Sequence, residues 1–256
     1  MDDARTNIIP ATPEGWAITR GARDVWRTMR EDCRAIPSRA WRGWAITLGF
    51  GLAVGGALSY AITKFAYSRA TEGLQTWDER WLMKLADEGP MSFPNAVLLE
   101  SAGNLAYLVP LTIIASIIAI RRHNPLAAIS IQIAYWLQRP IVLIGWKTWD
   151  RARPDLIGEG IASPGLHSFP SGHAALCVAV YGFLAYLWIR SSRSVTEKAL
   201  AIALTTVLIM LVSLARVRLG AHWPSDIIAG AALGMAWLTV VIIAYRGAMR
   251  TTLRAT

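Results

Sequence analysis

The sequence predicts an all-α integral membrane protein with six transmembrane helices, and three observations predict it. Of its 256 residues, 54% are apolar and only 17% are charged, whereas a soluble globular domain averages roughly 25% charged. The apolar residues gather in long uncharged runs, and a bilayer core about 30 Å thick takes about 20 helical residues to cross. The Lys and Arg residues, finally, are divided unequally between the two sets of connecting loops. This composition excludes a disordered or fibrous chain. The formal charge of +9 suits anionic lipid or nucleic acid; the distribution of the basic residues along a membrane protein favours lipid, so no nucleic acid partner is expected. Cys33 and Cys177 lie far apart without a CxxC pattern, which gives neither a disulfide framework nor a metal cluster.

Residues 1–43 precede the first span and form an Arg-rich leader. They are not a secretory signal, because acids stand at the start and no apolar core precedes Trp44. Ile18, Ala22, Val25, Trp26, Met29, Cys33 and Ile36 recur at helical spacing, and Arg20, Arg23, Arg27, Arg30 and Arg34 form a second stripe. Two readings fit: an interfacial helix on anionic lipid, or a solvated helix packed on a neighbouring loop. Residues 44–63, 101–120 and 227–245 are uncharged runs long enough to span. Residues 124–146 are interrupted only by Arg139. Residues 174–189 reach spanning length once 170–173 are included, and 199–215 are flanked by Lys198 and Arg216. The six spans form a membrane domain over 44–246, followed by a tail at 247–256.

An even number of spans puts both termini on one side. Sixteen of the 26 Lys and Arg residues fall on that side, so the positive-inside rule makes it cytoplasmic. The opposite, extracytoplasmic face then holds 65–100, 148–169 and 217–224. In the first of these, Trp77, Trp81, Leu82 and Leu85 suggest an amphipathic helix at the interface.

The chemistry-bearing residues lie on that extracytoplasmic face. Lys147, Arg151, Arg153 and Pro154 precede Pro170, Ser171, Gly172 and His173 at the start of the fourth span, and Arg216, His222 and Asp226 surround the start of the sixth. Arginine forks and lysine suit phosphate oxygens, and the N–H groups and dipole of a helix N-terminus favour an anion. Gly172 lets that anion approach the backbone, and Ser171 adds a hydroxyl donor. Two histidines supply a nucleophile or base and an acid for the leaving oxygen. Asp226, four residues after His222, can hold the imidazole in one tautomer. The site reads as phosphoryl chemistry without a metal or cofactor.

Other polar residues have structural explanations. Arg151 and Arg218, taken singly, read as snorkelling anchors, and His167 as a loop histidine. Arg139, beside Pro140 at mid-membrane depth, is either functional or paired with a buried acid or carbonyl, Glu100 being a candidate. Asp150, Asp155 and Glu159 match no standard cation loop and read as solvated acids.

The order of these pieces resembles the type 2 phosphatidic acid phosphatase superfamily of membrane lipid phosphatases. That signature comprises Lys, six residues, Arg-Pro; then Pro-Ser-Gly-His; then Ser-Arg, five residues, His, three residues, Asp. The second part is complete in Pro170 to His173. The third is complete in Arg216, His222 and Asp226, with Ala215 in place of Ser. The first has Arg153-Pro154, but only five residues separate Lys147 from Arg153, and Trp146 stands where Lys is expected.

The resemblance implies a six-span enzyme of the bacterial inner membrane. Its substrate would be phosphatidate, phosphatidylglycerol phosphate, undecaprenyl diphosphate or a lipid A phosphate, hydrolysed through a phosphohistidine without metal. It implies His222 as nucleophile, Asp226 as its orienting carboxylate and His173 as acid. Lys147, Arg153, Ser171, Gly172 and Arg216 would hold the phosphate. The rival readings are a lipid phosphotransferase and a non-enzymatic lipid-binding or transport protein on the same fold, the latter expected to lack a catalytic histidine.

Overall fold

A computed structural model describes residues 17–89, 91–158 and 167–255. Ten α-helices form the described chain: α1 (Ala17–Ala35), α2 (Ser38–Arg69), α3 (Gln75–Asp87), α4 (Phe93–Ser101), α5 (Leu105–Arg121), α6 (Pro125–Trp136), α7 (Gln138–Thr148), α8 (Gly172–Ser191), α9 (Val195–Arg218) and α10 (Pro224–Leu253). Six stretches are long and apolar enough to cross a membrane: Ser38–Asp87, Phe93–Arg121, Pro125–Thr148, Gly172–Ser191, Val195–Arg218 and Pro224–Leu253. The protein is an all-helical integral membrane protein.

Where the helices differ from expectation, the reason is local. The first span begins at Ser38, inside the stretch assigned to the leader, because Pro37 is extended and Ser38 follows it directly. It continues past Thr63 to Arg69, and a wide turn at Ala70–Leu74 containing Gly73 at φ 111° redirects the chain into α3. Proline also shapes the third span. Pro140 has no N–H to give the carbonyl of Trp136 and its ring crowds that carbonyl, so α6 ends at Trp136 and α7 starts anew at Gln138.

The leader forms α1 over its described part, packed on α5 and α6. Its exposed face carries Arg27, Arg30 and Arg34, while Ile36 closes against the core. Residues 1–16 lie outside the described chain. Asp32 of α1 meets His123 at 3.1 Å, tying the helix to the α5–α6 turn.

Outward faces of the spans are apolar, as lipid contact requires: Ile46, Phe50, Val54 and Leu58 form one exposed stripe on α2. Small residues occupy the inward faces, since tails and side chains are equally apolar and association relies on close packing. α10 packs between α2 and α8. Gly230 and Gly234, four apart on α10, bring its backbone against the first turns of α8. A Cβ on Gly230 would lie 2.3 Å from the Ser171 carbonyl oxygen, and one on Gly234 2.5 Å from that of Ala175. Gly230→Ala should therefore push the start of α8 away from α10 and cost about 1–3 kcal/mol, the range for overpacking. A lower melting temperature in detergent together with reduced turnover is the expected result. Gly21→Ala, where a Cβ meets nothing within 4 Å, serves as the control.

Candidate active site

The ends of α4, α5, α7, α8, α9 and α10 and one extended loop converge at one end of the bundle. α8 starts there behind Ser171, which is fully buried. Its Oγ accepts from the Ala174 N–H at 3.4 Å, and its own N–H donates to the Asp226 carbonyl at 2.9 Å. Ser171 is thus the N-cap of α8. The N–H groups of the first helical turn, Gly172 and His173 first, have no intrahelical acceptor and point toward the loop end of the helix. A Cβ on Gly172 would find its nearest neighbour, Trp146 Cζ2, at 3.4 Å.

His222 and Asp226 belong to the turn that starts α10. Asp226 is the third residue of that helix, and its Oδ2 reaches back to accept the Trp223 N–H at 2.8 Å. The same oxygen accepts from Ser168 Oγ at 2.5 Å and faces His222 Nδ1 at 3.4 Å. Asp226 Oδ1 accepts from Arg151 Nη1 at 2.7 Å. An Nδ1–H directed at the carboxylate leaves Nε2 as the free base. Burial lowers the His222 imidazole from 6.5 to about 4; Asp226 opposes the shift, while Arg216 and Arg153 reinforce it. The ring is therefore neutral at physiological pH.

Arg153, Arg216 and His222 all lie within electrostatic reach of His173. Arg216 is paired with Glu100, and Arg153 donates to the Ala221 carbonyl. His173 Nε2 lies 2.8 Å from Asn104 Oδ1. Glu100 stands in the last turn of α4 and Asn104 is the N-cap of α5, so the residues flanking this interruption of the second span supply partners for an arginine and a histidine of the site. The structure thus brings His173, His222, Asp226, Arg153, Arg216, Ser171 and Gly172 together.

It does not bring Lys147 to them. Lys147 is exposed on the last turn of α7, and among the described residues no hydrogen bond or ion pair involves it. Successive helical residues point about 100° apart, and it is Trp146 that faces the cluster, donating from Nε1 to the Pro170 carbonyl at 3.0 Å. The one-residue shift in the first motif exchanges a cation for an indole at this place.

Arg151 also departs from expectation. It is not a snorkelling anchor but buried at 4% exposure, joined to Asp226 and, through Nη2, to Asp78 at 2.6 Å and to Gln75 at 3.0 Å. Trp149 and Trp223 lie against its guanidinium. Asp78 in turn accepts from the Ser225 N–H at 2.8 Å and from Ser225 Oγ at 2.6 Å. α3 is thereby fastened to the start of α10, with Leu82 packed on Val217 and Trp223.

Sequence reading passed over Asp78, although a signal was present: it shares a helical face with Leu82 and Leu85, where a solvated acid does not belong. Asn104, a polar residue in an otherwise apolar run, was a weaker signal. Ser168 gave none. Glu100 pairs with Arg216 rather than with Arg139, which is exposed on α7. His167 stacks on Trp146 and lies 2.9 Å from Asp150, and Glu159 lies outside the described residues.

This arrangement has relatives. Residues 127–250 match the sequence model of the PAP2 superfamily. Phosphatidylglycerophosphatase B of Bacillus subtilis is 33% identical over 91 residues, 35% of this chain and 44% of that protein, so the match spans less than half the length of that relative. Among solved structures, a transmembrane PAP2 type phosphatidylglycerolphosphate phosphatase from Bacillus subtilis superposes with a TM-score of 0.61 at 22% identity, covering 73% of this chain and 94% of the other. That likeness establishes the shared membrane fold. The motif residues of the fourth and sixth spans all lie inside the stretch, residues 127–250, that is similar to the PAP2 superfamily.

Proposed function

We propose that this protein hydrolyses a lipid monophosphate or diphosphate, with His222 as the nucleophile. The observation that carries the proposal is the state of His222: a buried, neutral imidazole with Nδ1 toward Asp226 and a cluster of cations and helix N–H groups around it. In the first step Nε2 forms a bond to phosphorus, the P–O bond to the lipid breaks, and the leaving oxygen takes a proton from His173. Arg153, Arg216 and the first N–H groups of α8 hold the phosphoryl oxygens, fixed donors that stabilise developing charge without reorganisation. Asp226 stabilises the imidazolium formed. Water then attacks the phosphohistidine, His173 accepts its proton, and phosphate leaves.

Phosphatidylglycerol phosphate is the first substrate to try, given the relatives; phosphatidate, undecaprenyl diphosphate and lipid A phosphates complete a panel. The excess of basic residues at the other end supports cytoplasmic termini and a site facing the exterior of a bacterial inner membrane. The test is that panel, assayed with purified protein in detergent and with product analysis. Free phosphate in proportion to lipid consumed is expected; phosphorylated lipid acceptors would mean phosphotransfer instead.

Two predictions probe the details. Arg153→Ala should be severe, on the order of 10²-fold or more for loss of a transition-state donor, whereas Lys147→Ala should fall within about twofold, in keeping with its exposure. Equal effects in a steady-state assay would refute the assigned cradle.

The pH profile is the second. His222 must be neutral to attack, and burial holds its proton affinity at about 4 rather than 6.5. The acid limb of kcat/KM from this group should therefore lie near pH 4, after correction for titration of the substrate phosphate. The same shift makes stability fall as the pH drops from about 6.5 to about 4, because the unfolded imidazole takes up its proton first. An acid limb at pH 6.5 with intact fold would contradict the buried neutral nucleophile.

A further inference from the structure

A cavity of about 480 Å³ opens at the end of the bundle opposite the histidines, among the C-terminal ends of α5, α8 and α10 and the start of α6. Its size lies in the range of roughly 300–1,000 Å³ found for small-molecule sites. Its lining is mixed. Ile118, Ile131, Leu184 and Leu187 make an apolar wall, and Ile118, 49% exposed, continues that wall onto the lipid-facing surface of α5. Arg122 and Arg190 also line it.

A built polar pair, Asn124 and Tyr245, lines the cavity as well. Asn124 Oδ1 caps α6 by accepting the Ala127 N–H at 3.0 Å, and its Nδ2 donates to Tyr245 Oη at 2.9 Å. Tyr245 is 3% exposed. Because its oxygen accepts from Asn124, its hydroxyl proton is available to an acceptor. Arg122 caps α5 and Arg190 stands in the last turn of α8, where the helix dipoles favour cations. The dipoles explain the arginines, but not an open cavity with an apolar wall and a buried hydroxyl in its lining.

We propose that this cavity binds one anionic phospholipid from the adjoining leaflet. Its phosphodiester sits between Arg122 and Arg190 with Tyr245 as a further donor, and its first acyl methylenes run along Ile118, Ile131 and Leu187. Basic pockets between transmembrane helices suit anionic headgroups, and the continuous apolar wall selects a lipid over free phosphate. The site is separate from the histidine cluster and does not depend on the hydrolase reading. A lipid bound there stabilises the fold by mass action, since it bridges the α5–α6 turn, α8 and α10.

The test uses the full chain, delipidated in detergent, with dioleoyl phosphatidylglycerol, dioleoyl phosphatidylcholine or inorganic phosphate as probe. Native mass spectrometry and melting temperature are the readouts. One retained phosphatidylglycerol and a raised melting temperature are expected, with neither effect from phosphatidylcholine or phosphate at equal concentration. The double variant Arg122→Gln/Arg190→Gln should weaken phosphatidylglycerol binding about tenfold or more, as loss of charge-assisted contacts predicts. Ile118→Trp, which fills the cavity and leaves the charges, should displace the lipid as well. Arg193→Gln, a cation at the same end outside the cavity, should leave binding unchanged. Retention of the adduct by both cavity variants, equal binding of phosphatidylcholine, or loss of the adduct with Arg153→Gln at the histidine end would overturn the proposal.

Discussion

Replacing His222 by alanine is expected to reduce hydrolysis to background, a loss on the order of 10⁴-fold or more, as for removal of an enzyme's covalent nucleophile. Among the described residues, no second histidine is paired with a carboxylate in the site. His173 faces Asn104 rather than a carboxylate, at 2.8 Å, and lacks the orienting acid that His222 has in Asp226. The companion variant His173→Ala behaves differently: phosphoryl transfer slows by roughly 10²- to 10⁴-fold, the usual contribution of a general acid. It should slow least for a substrate whose leaving group needs no proton. Because His222 is 2% exposed, circular dichroism and the detergent melting temperature must accompany the assay. Substantial turnover by folded His222→Ala protein would remove the nucleophile assignment.

The second large effect is on stability. Arg151→Ala leaves Asp78 and Asp226, both 0% exposed, without the cation that joins them. Breaking a buried ion pair by removing one partner costs about 3–5 kcal/mol, because a charge remains buried and uncompensated. The expected result is a large fall in melting temperature and, in whatever protein folds, loss of turnover through misplacement of Asp226. Arg151→Lys should rescue only partly. A single ammonium cannot reproduce the forked contacts of Nη1 with Asp226 and Ser225 and of Nη2 with Asp78 and Gln75. A melting temperature within a degree of the parent would show that the network carries no such energy.

Arg151 also marks the boundary of what the sequence made legible. The spans were readable because lipid imposes uniform apolarity over a fixed length, a constraint that needs no knowledge of neighbours. His173, His222, Asp226 and Arg216 were readable as a set because their spacing places them at helix starts and ends, where local structure alone can gather donors suited to an anion. Arg151 was not, since an arginine at a helix end looks the same whether it snorkels or joins two carboxylates from α3 and α10. Only tertiary packing separates these cases. Lys147 illustrates the converse: its charge and position suit phosphate, yet a step of one residue rotates a helical side chain by about 100°, and it is Trp146 that meets the Pro170 carbonyl. The break at Leu137 divides a span that reads as continuous, and the one at Ala102–Asn104 falls at the start of the run 101–120, with α4 up to Glu100 lying in the stretch read as a loop. Pro140 accounts for the first, whereas the run around Gly103 offers only the polar Asn104 as a sign that Glu100 meets Arg216 and Asn104 meets His173.

The proposed hydrolysis turns on a phosphoryl group carried by His222, formed with arginines rather than a metal holding the phosphate. The most direct test is rapid acid-free quenching of purified protein mixed with phosphatidylglycerol phosphate carrying a labelled phosphoryl group, in the presence of a chelator. Digestion and mapping of the labelled peptide follow. The expected label is stable to alkali and lost in acid, located on the peptide containing His222, and absent from His222→Ala. Label on another residue, or turnover that appears only when Mg²⁺ is restored, would contradict it.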